Sequence, residues 1–349
     1  MSNPKPTMID VAKAAGVGVA TVDRVINQRA PVSRKTRERV YQAAEELGWI
    51  SKESIKKNDR NDAEPSVGSL AATLKIAIVL QSHNPPFYAN VTQALTTAAK
   101  SHPKVADDVA IVQIDGMRPE EVADTLLSFG DQGVDAIAVV AADHPIVSQA
   151  VEQLAARGVR TYALMSDLTA PTRAGYVGLD NRKVGRTAGW AMAHLSRRVG
   201  KIATLMGDHR LLCQEFSEIG FRSYFREKFA DYEVIGPVPN LEGNDSAYSV
   251  TCQLLEEHAD LVGLYINSGG VDGVVRALRE HAGHRQLVTI CHEVTDATRR
   301  ALIDNVIQMV VAHPFEQMAR TLIETMVEDS PGNARQWVLP FSILTSENV

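Results

Sequence analysis

Cysteine is scarce in this chain: Cys213, Cys252 and Cys291 are the only three in 349 residues, and they stand far apart. An odd, scattered set excludes a disulfide framework, supplies no metal-ligand cluster and fits a reducing compartment. Long apolar runs are missing as well. No stretch approaches the roughly 20 residues needed to cross a bilayer, and the opening MSNPKPTMIDVAKAAG has no apolar core ahead of a small-residue cleavage site. The expected location is therefore cytoplasmic. Catalytic signatures are equally thin. There is no GxSxG elbow, the turn Ser268-Gly269-Gly270 has no P-loop lysine, and His292-Glu293 is followed by Asp296 where a zinc-protease helix needs its second His. Neither a catalytic residue nor a metal or cofactor site is expected. Cys291 beside His292 could form a thiolate pair, although a cysteine at a strand end is more often packing.

What is present is ordinary globular material, 45% hydrophobic and 22% charged, in a chain long enough for two or three domains. The net charge of −6 conceals an asymmetry. Residues 1–57 carry eleven Lys/Arg against six acids, a net of +5, which leaves −11 for the remainder. A small basic module on an acidic body can neutralise phosphates while the body repels them.

The basic module has the periodicity of a three-helix unit. Thr7 followed by Asp10 predicts an N-cap whose side chain meets the first-turn amides; Met8, Val11, Ala12 and Ala15 then fall on one face, and Gly16 ends the helix. A second helix has Val22, Val25 and Ile26 on one side. After the turn at Gln28 to Pro31, Ser33 caps a third helix whose buried stripe is Val40, Ala43, Ala44 and Leu47. This is a helix-turn-helix pattern, in which the second helix enters the major groove. Arg24 can offer a bidentate fork to guanine, Val19 and Ala20 can touch a thymine methyl, and Thr21, Asn27 and Ser33 suit phosphates. A bundle with a merely solvated basic face is the alternative.

The run TMIDVAKAAGVGVATVDRVINQRAPVSRKTRERVYQAAEELGWI closely resembles the headpiece of the lactose-repressor (LacI/GalR) family of bacterial regulators over about the first fifty residues. Gly18 and Asp23 depart from it, each standing where the family usually has a Ser, so the usual operator does not follow from the likeness. The resemblance also implies a hinge helix after the head. The charged stretch from Ser51 to Pro65 does not fit it, with Asn58 near the expected wedging Leu and Ile55 the one apolar substitute, so residues 51–74 read as a flexible linker.

From Lys75 onward short apolar runs alternate with amphipathic stretches: 76–80, 110–114, 136–140, 160–164, 202–206, 262–266, 287–290 and 306–311 read as buried strands. That rhythm predicts parallel sheets covered on both faces, with ligands at the carboxyl ends of the strands. The loops there concentrate amides, carboxylates and rings, including Asn84, Phe87, Tyr88, Asp143, Ser166, Asp167, Glu215, Asn267, His292 and Glu293. Such groups suit a polyhydroxylated ligand. Taken singly, Asp143, Asp180 and Ser268 could equally cap helices, and Phe87 could be core.

The segments IAIVLQSHNPPFYANVTQAL, GYVGLDNRKVGRTAGWAM, LYINSGGVDGVVRAL and ICHEVTDATRRALI resemble the sensor half of the same family, which is similar to ribose-binding periplasmic proteins. The resemblance implies an all-α helix-turn-helix headpiece (1–50), the linker (51–74) and a periplasmic-binding-protein-like type I α/β sensor domain (75–349). Its subdomains would be 75–176 plus 313–338, and 177–312 plus 339–349. It further implies that Phe87 and Tyr88 stack on the ligand while Asp143, Ser166, Asn267 and His292 hydrogen-bond to it. Glu215 stands where sugar-binding relatives often have Arg, which argues for a neutral sugar or polyol. The expectation is a homodimeric DNA-binding repressor on a pseudopalindromic operator, not an enzyme, with a small sugar or polyol as effector. The rival readings are an enzyme and a free periplasmic sugar carrier.

Overall fold

A computed structural model describes residues 6–26, 34–47, 49, 73–82, 85–283, 286–328 and 335–349. The chain divides into two compact units, Met1–Ala71 and Ala72–Val349. Expectations for Asn27, Ser33, Ile55, Asn84 and the 51–72 part of the linker lie outside the described residues.

In the first unit, α1 (Met8–Ala15), α2 (Val19–Ile26) and α3 (Arg34–Glu46) follow the apolar periodicity. Val11, Ala12, Ala15, Val22, Val25, Val40, Tyr41, Ala43 and Ala44 form one small core. Gly16 ends α1 in the left-handed region at φ 62°, with its amide on the Ala12 and Lys13 carbonyls. Arg39 of α3 reaches across to the Ala15 carbonyl at 2.5 Å, placing a cation on the negative end of α1. One expectation is corrected: Leu47 is 38% exposed, because it lies just past the end of α3 where the stripe has turned toward solvent. Thr7 is the N-cap of α1 and forms a capping box with Asp10, whose carboxylate accepts from the Thr7 hydroxyl at 2.7 Å and from the Thr7 amide at 2.8 Å. Those two bonds hold the Asp10 carboxyl below its usual range.

The second unit holds two six-stranded sheets. The first contains β1 (Ile76–Ser82), β2 (Ala110–Asp115), β3 (Ala136–Val140), β4 (Arg160–Leu164), β5 (Gly175–Leu179) and β11 (Arg335–Leu339), in the order β11-β5-β4-β3-β1-β2, all pairs parallel. Alternation decides which face each residue serves. Ile76, Ile78 and Leu80 pack beneath α4 (Pro85–Ser101) and α12 (Phe315–Val327), whereas Ala77 and Val79 pack beneath α5 (Pro119–Asp131) and α6 (Pro145–Ala156).

The second sheet runs β12-β10-β9-β8-β6-β7. It is built from β6 (Lys201–Met206), β7 (Glu233–Pro239), β8 (Leu261–Ile266), β9 (Val288–His292), β10 (Met309–Ala312) and β12 (Ser342–Leu344), the last antiparallel to β10. On one face lie α7 (Asn181–Leu195) and α8 (Leu212–Lys228); on the other lie α9 (Asn244–Glu257), α10 (Val271–His281) and α11 (Asp296–Ile303).

All eight strands read from apolar runs are present, with ends shifted by up to three residues. Four others, β5, β7, β11 and β12, had no such signature. β5 carries two glycines, and β7, β11 and β12 are sheet edges with half-exposed or exposed residues. The same cause moves the first crossing between lobes. Val177, Gly178 and Leu179 pair with β11 in the first sheet, so the chain crosses at Asp180, beyond the expected 176/177 boundary.

Helices α7 and α8 touch backbone to backbone at Gly185, where an added Cβ would stand 1.8 Å from the Ser217 carbonyl oxygen. Gly185→Ala should therefore destabilise the second unit by about 2–3 kcal/mol, the cost of overpacking against a backbone that cannot yield. Gly189→Ala, which would meet the Tyr224 side chain at 3.1 Å, should cost less. Urea unfolding midpoints of the two variants check the ranking.

Candidate functional site

The first unit presents one face of α2 to solvent. Val19 is 43% exposed, Ala20 and Arg24 are exposed, and Thr21 and Asp23 are half-buried, while Val22 and Val25 point into the core. The side chains expected to read bases are thus on the outer face, at the helix start and one turn on.

In the second unit, the carboxyl ends of the strands open onto a cavity of about 700 Å³. Phe87, Tyr88, Asn267, His292 and Glu293 line it, as expected from the sequence. Phe87 stands edge-on to Tyr88, with ring centroids 4.9 Å apart, and to Phe315 at 5.6 Å, which gives the cavity an aromatic wall.

Asp143, Ser166, Asp167 and Glu215 are not in the lining, and their other duties explain three of the four. The Asp143 carboxylate accepts from the Thr169 amide and hydroxyl at 2.9 and 3.1 Å, and its own amide donates to the Arg210 carbonyl across the lobes. Ser166 is fully buried and its hydroxyl oxygen accepts from the Cys213 amide at 3.4 Å. Asp167 holds a two-pronged bond with Arg173 at 2.7 and 2.9 Å and also receives Gln336 of β11. Glu215 is half-buried in the first turn of α8. Asp180, for which capping was the alternative, does cap α7 by accepting from the Lys183 amide at 3.1 Å.

Residues the sequence did not single out complete the cavity. Gln214, 6% exposed, accepts from the Gly207 and Asp208 amides and donates to the Glu242 carboxylate. Asn240, fully buried, donates to the Gly269 carbonyl and accepts from Ser268 and the Glu242 amide, tying two loops together. His313 bonds the Glu293 carboxylate through Nδ1 and through its own amide. The loop after β7 escaped notice because that edge strand did. Met165, Glu242 and Glu293, all lining residues, hold positive φ values of 61°, 55° and 66°. Non-glycine residues keep such backbone only where the surroundings over-determine it.

Among the described residues, two buried polar atoms of the lining have no partner, Asn267 Oδ1 and His313 Nε2. A buried acceptor or donor left unpaired costs about 1–3 kcal/mol, which a bound molecule can recover. Carboxylates outnumber cations around the cavity: Glu242, Asp272, Glu293 and Asp296 face Arg299 and Arg300, both exposed on α11. The Cys291–His292 pair is not a reactive dyad. Cys291 is fully buried and burial pushes its thiol far up, so no thiolate is available. Burial likewise pushes His292 down to about 4, against the pull of Glu293, and its Nε2 lies 2.9 Å from the Tyr265 hydroxyl.

Comparison with known proteins fits both units. Residues 7–52 match the model of bacterial regulatory proteins of the lacI family, and residues 76–330 match the periplasmic binding protein domain. The chain belongs to the periplasmic-binding-protein domain family and carries a lacI-family domain at residues 7–52. Its curated relatives are regulators. The Escherichia coli maltose regulon regulatory protein MalI is 30% identical over 40% of this chain and 36% of its own length. The lactose operon repressor of the same organism is 54% identical over 13% of this chain and 12% of its own length. The matches thus span little more than a third of those relatives at most. Among solved structures, a solute-binding protein from Burkholderia graminis in complex with D-arabinose aligns with a TM-score of 0.73 at 18% identity, over 80% of this chain and 97% of that one. The glucose-galactose binding protein GanP from Geobacillus stearothermophilus aligns with a TM-score of 0.70 at 18% identity, over 79% and 99%. At that identity the likeness establishes the fold.

The neutral His292 of this periplasmic-binding-protein domain has a thermodynamic signature. The unfolded chain takes up its proton below about 6.5 and the folded chain only near 4, so stability falls as pH drops through that window and is unaffected by this group above it. His292→Gln should make the melting temperature fall less steeply between those limits than in the wild type. Parallel slopes would show that the ring is not enclosed.

Proposed function

We propose that the chain is a sequence-specific DNA-binding repressor whose operator affinity is set by a sugar or polyol bound in the second unit. The observation that carries the reading is the pairing of an exposed α2 face, built for the major groove, with a cavity that combines an aromatic wall and two unpartnered buried polar atoms. The strands bearing those atoms, β8 and β10, flank β9, so their ends stand roughly 10 Å apart. A six-membered ring with hydroxyls at opposite positions spans that gap, and its apolar face can rest on Phe87. The acid-rich lining disfavours an anionic ligand. The sugars named for the similar solved structures, D-arabinose, D-fucose and D-allose, support the class without naming the member.

Arg24, Val19 and Ala20 read bases, and Thr21, Asn27 and Ser33 hold phosphates. Phe87, Tyr88, Asn267, His292 and Glu293 contact the effector, together with His313. Asn84, Asp143, Ser166, Asp167 and Glu215 complete the set expected from sequence, of which Asp143, Ser166 and Asp167 act by bracing the rim. The protein works in the cytoplasm as a homodimer, since two heads related by a twofold read a pseudopalindrome. The cavity serves as a binding site: burial pushes the thiol of Cys213, the cysteine in its lining, up to about 12, which disfavours a thiolate nucleophile. The sugar alters DNA binding only by its differential affinity for the two states.

A gel-retardation assay with the full chain and genomic fragments should show selective retention that changes when a stabilising sugar is added. Arg24→Ala should relax preference at one operator position by about 1–3 kcal/mol. Uniform weakening across sequences would instead assign Arg24 to phosphate, and retention no better than random duplex at moderate salt would refute the reading.

A further inference from the structure

One corner of the cavity is built almost wholly of hydrogen-bond acceptors. Asn267 is 4% exposed, and its Nδ2 donates to the Gln214 backbone carbonyl at 2.8 Å. That bond settles the amide's orientation, because the opposite one would set two oxygens against each other. The group therefore turns only Oδ1 toward the cavity, buried and without a partner. Gln214 is largely committed: its Nε2 gives one of its two N–H groups to Glu242, and its Oε1 accepts from two amides. Asn240 fixes the Glu242 loop to the Ser268–Gly269 turn, so the Glu242 carboxylate and Asn267 belong to one braced unit. Asp272, exposed in the first turn of α10 as Arg299 and Arg300 are exposed on α11, lies five residues beyond Asn267 and also lines the cavity.

A hydroxyl could satisfy Asn267 Oδ1, so charge must decide between donors. The amino end of α10 supplies a partial positive charge, which Asp272 in its own first turn offsets. The cationic side chains of the lining, Arg299 and Arg300, are exposed on α11. An ammonium group brings three donors and the missing charge together.

We propose that the Asn267 corner, flanked by Glu242 and Asp272, receives a protonated amino group, so that the effector is an aminated sugar or aminocyclitol. The proposal rests on the reading of the cavity as a sugar or polyol site. Its test is calorimetry and thermal shift on the full chain with matched sets: glucose, galactose, mannose and myo-inositol, each beside its amino-deoxy and N-acetylamino counterpart.

In any set that binds, the amine should be about tenfold or more tighter than its neutral parent, as a charge-assisted bond gives, and the N-acetyl form weaker than both. Glu242→Gln and Asp272→Asn should each bring the amine-to-parent affinity ratio toward one. A neutral parent that binds as well as its amine overturns the proposal and leaves the sugar reading standing. An amine preference that survives both substitutions overturns the placement. Silence from every set removes the sugar reading along with the proposal.

Discussion

A parallel sheet buried on both faces has no side on which to do chemistry. In the second unit nearly every residue of β1, β3, β4, β5, β8 and β10 is buried, with alternate side chains serving helices above and below. Polar groups therefore collect where strands end and helices begin, and both sheets offer that edge to one cavity. The placement of Asn267, His292, Glu293 and His313 follows from this constraint, since they terminate the neighbouring strands β8, β9 and β10.

The strand-end loops are held by polar networks in which most side chains are spent on one another. Gln214 and Asn240 use their amides to bind backbone and carboxylate, and Asp167 and Asp143 brace the rim. The positive φ at Met165, Glu242 and Glu293 persists because these bonds over-determine the backbone. Among the described residues, the buried side-chain atoms of the lining left without a partner are Asn267 Oδ1 and His313 Nε2, beside an aromatic wall. That economy distinguishes residues that shape the cavity from residues that face it.

The first unit solves a different problem with far less material. Among the described residues its core is nine side chains, eight of them Val or Ala and the ninth Tyr41, and Arg39 adds a cross-link by meeting the carbonyls at the end of α1. With Val22 and Val25 committed inward, α2 turns Val19, Ala20 and Arg24 to solvent.

Local patterning was enough for much of this. The helices of the first unit, eight of the strands, the parallel architecture and the strand-end location of the cavity are all legible in periodicity, because burial on one or two faces imposes a period that the residues must obey. The edge strands β7, β11 and β12 were not, since edges need no apolar run, and with β7 the Glu242 loop was lost from view. Composition could nominate Asp143, Ser166, Asp167 and Glu215 but not their partners. Whether a carboxylate faces a cavity or an arginine such as Arg173 depends on which distant segment arrives beside it. Periodicity along the chain dictates which segments are buried and where polar groups gather; long-range packing dictates which of those groups are left unsatisfied, because hydrogen-bond partners come from contacts between residues far apart in the chain.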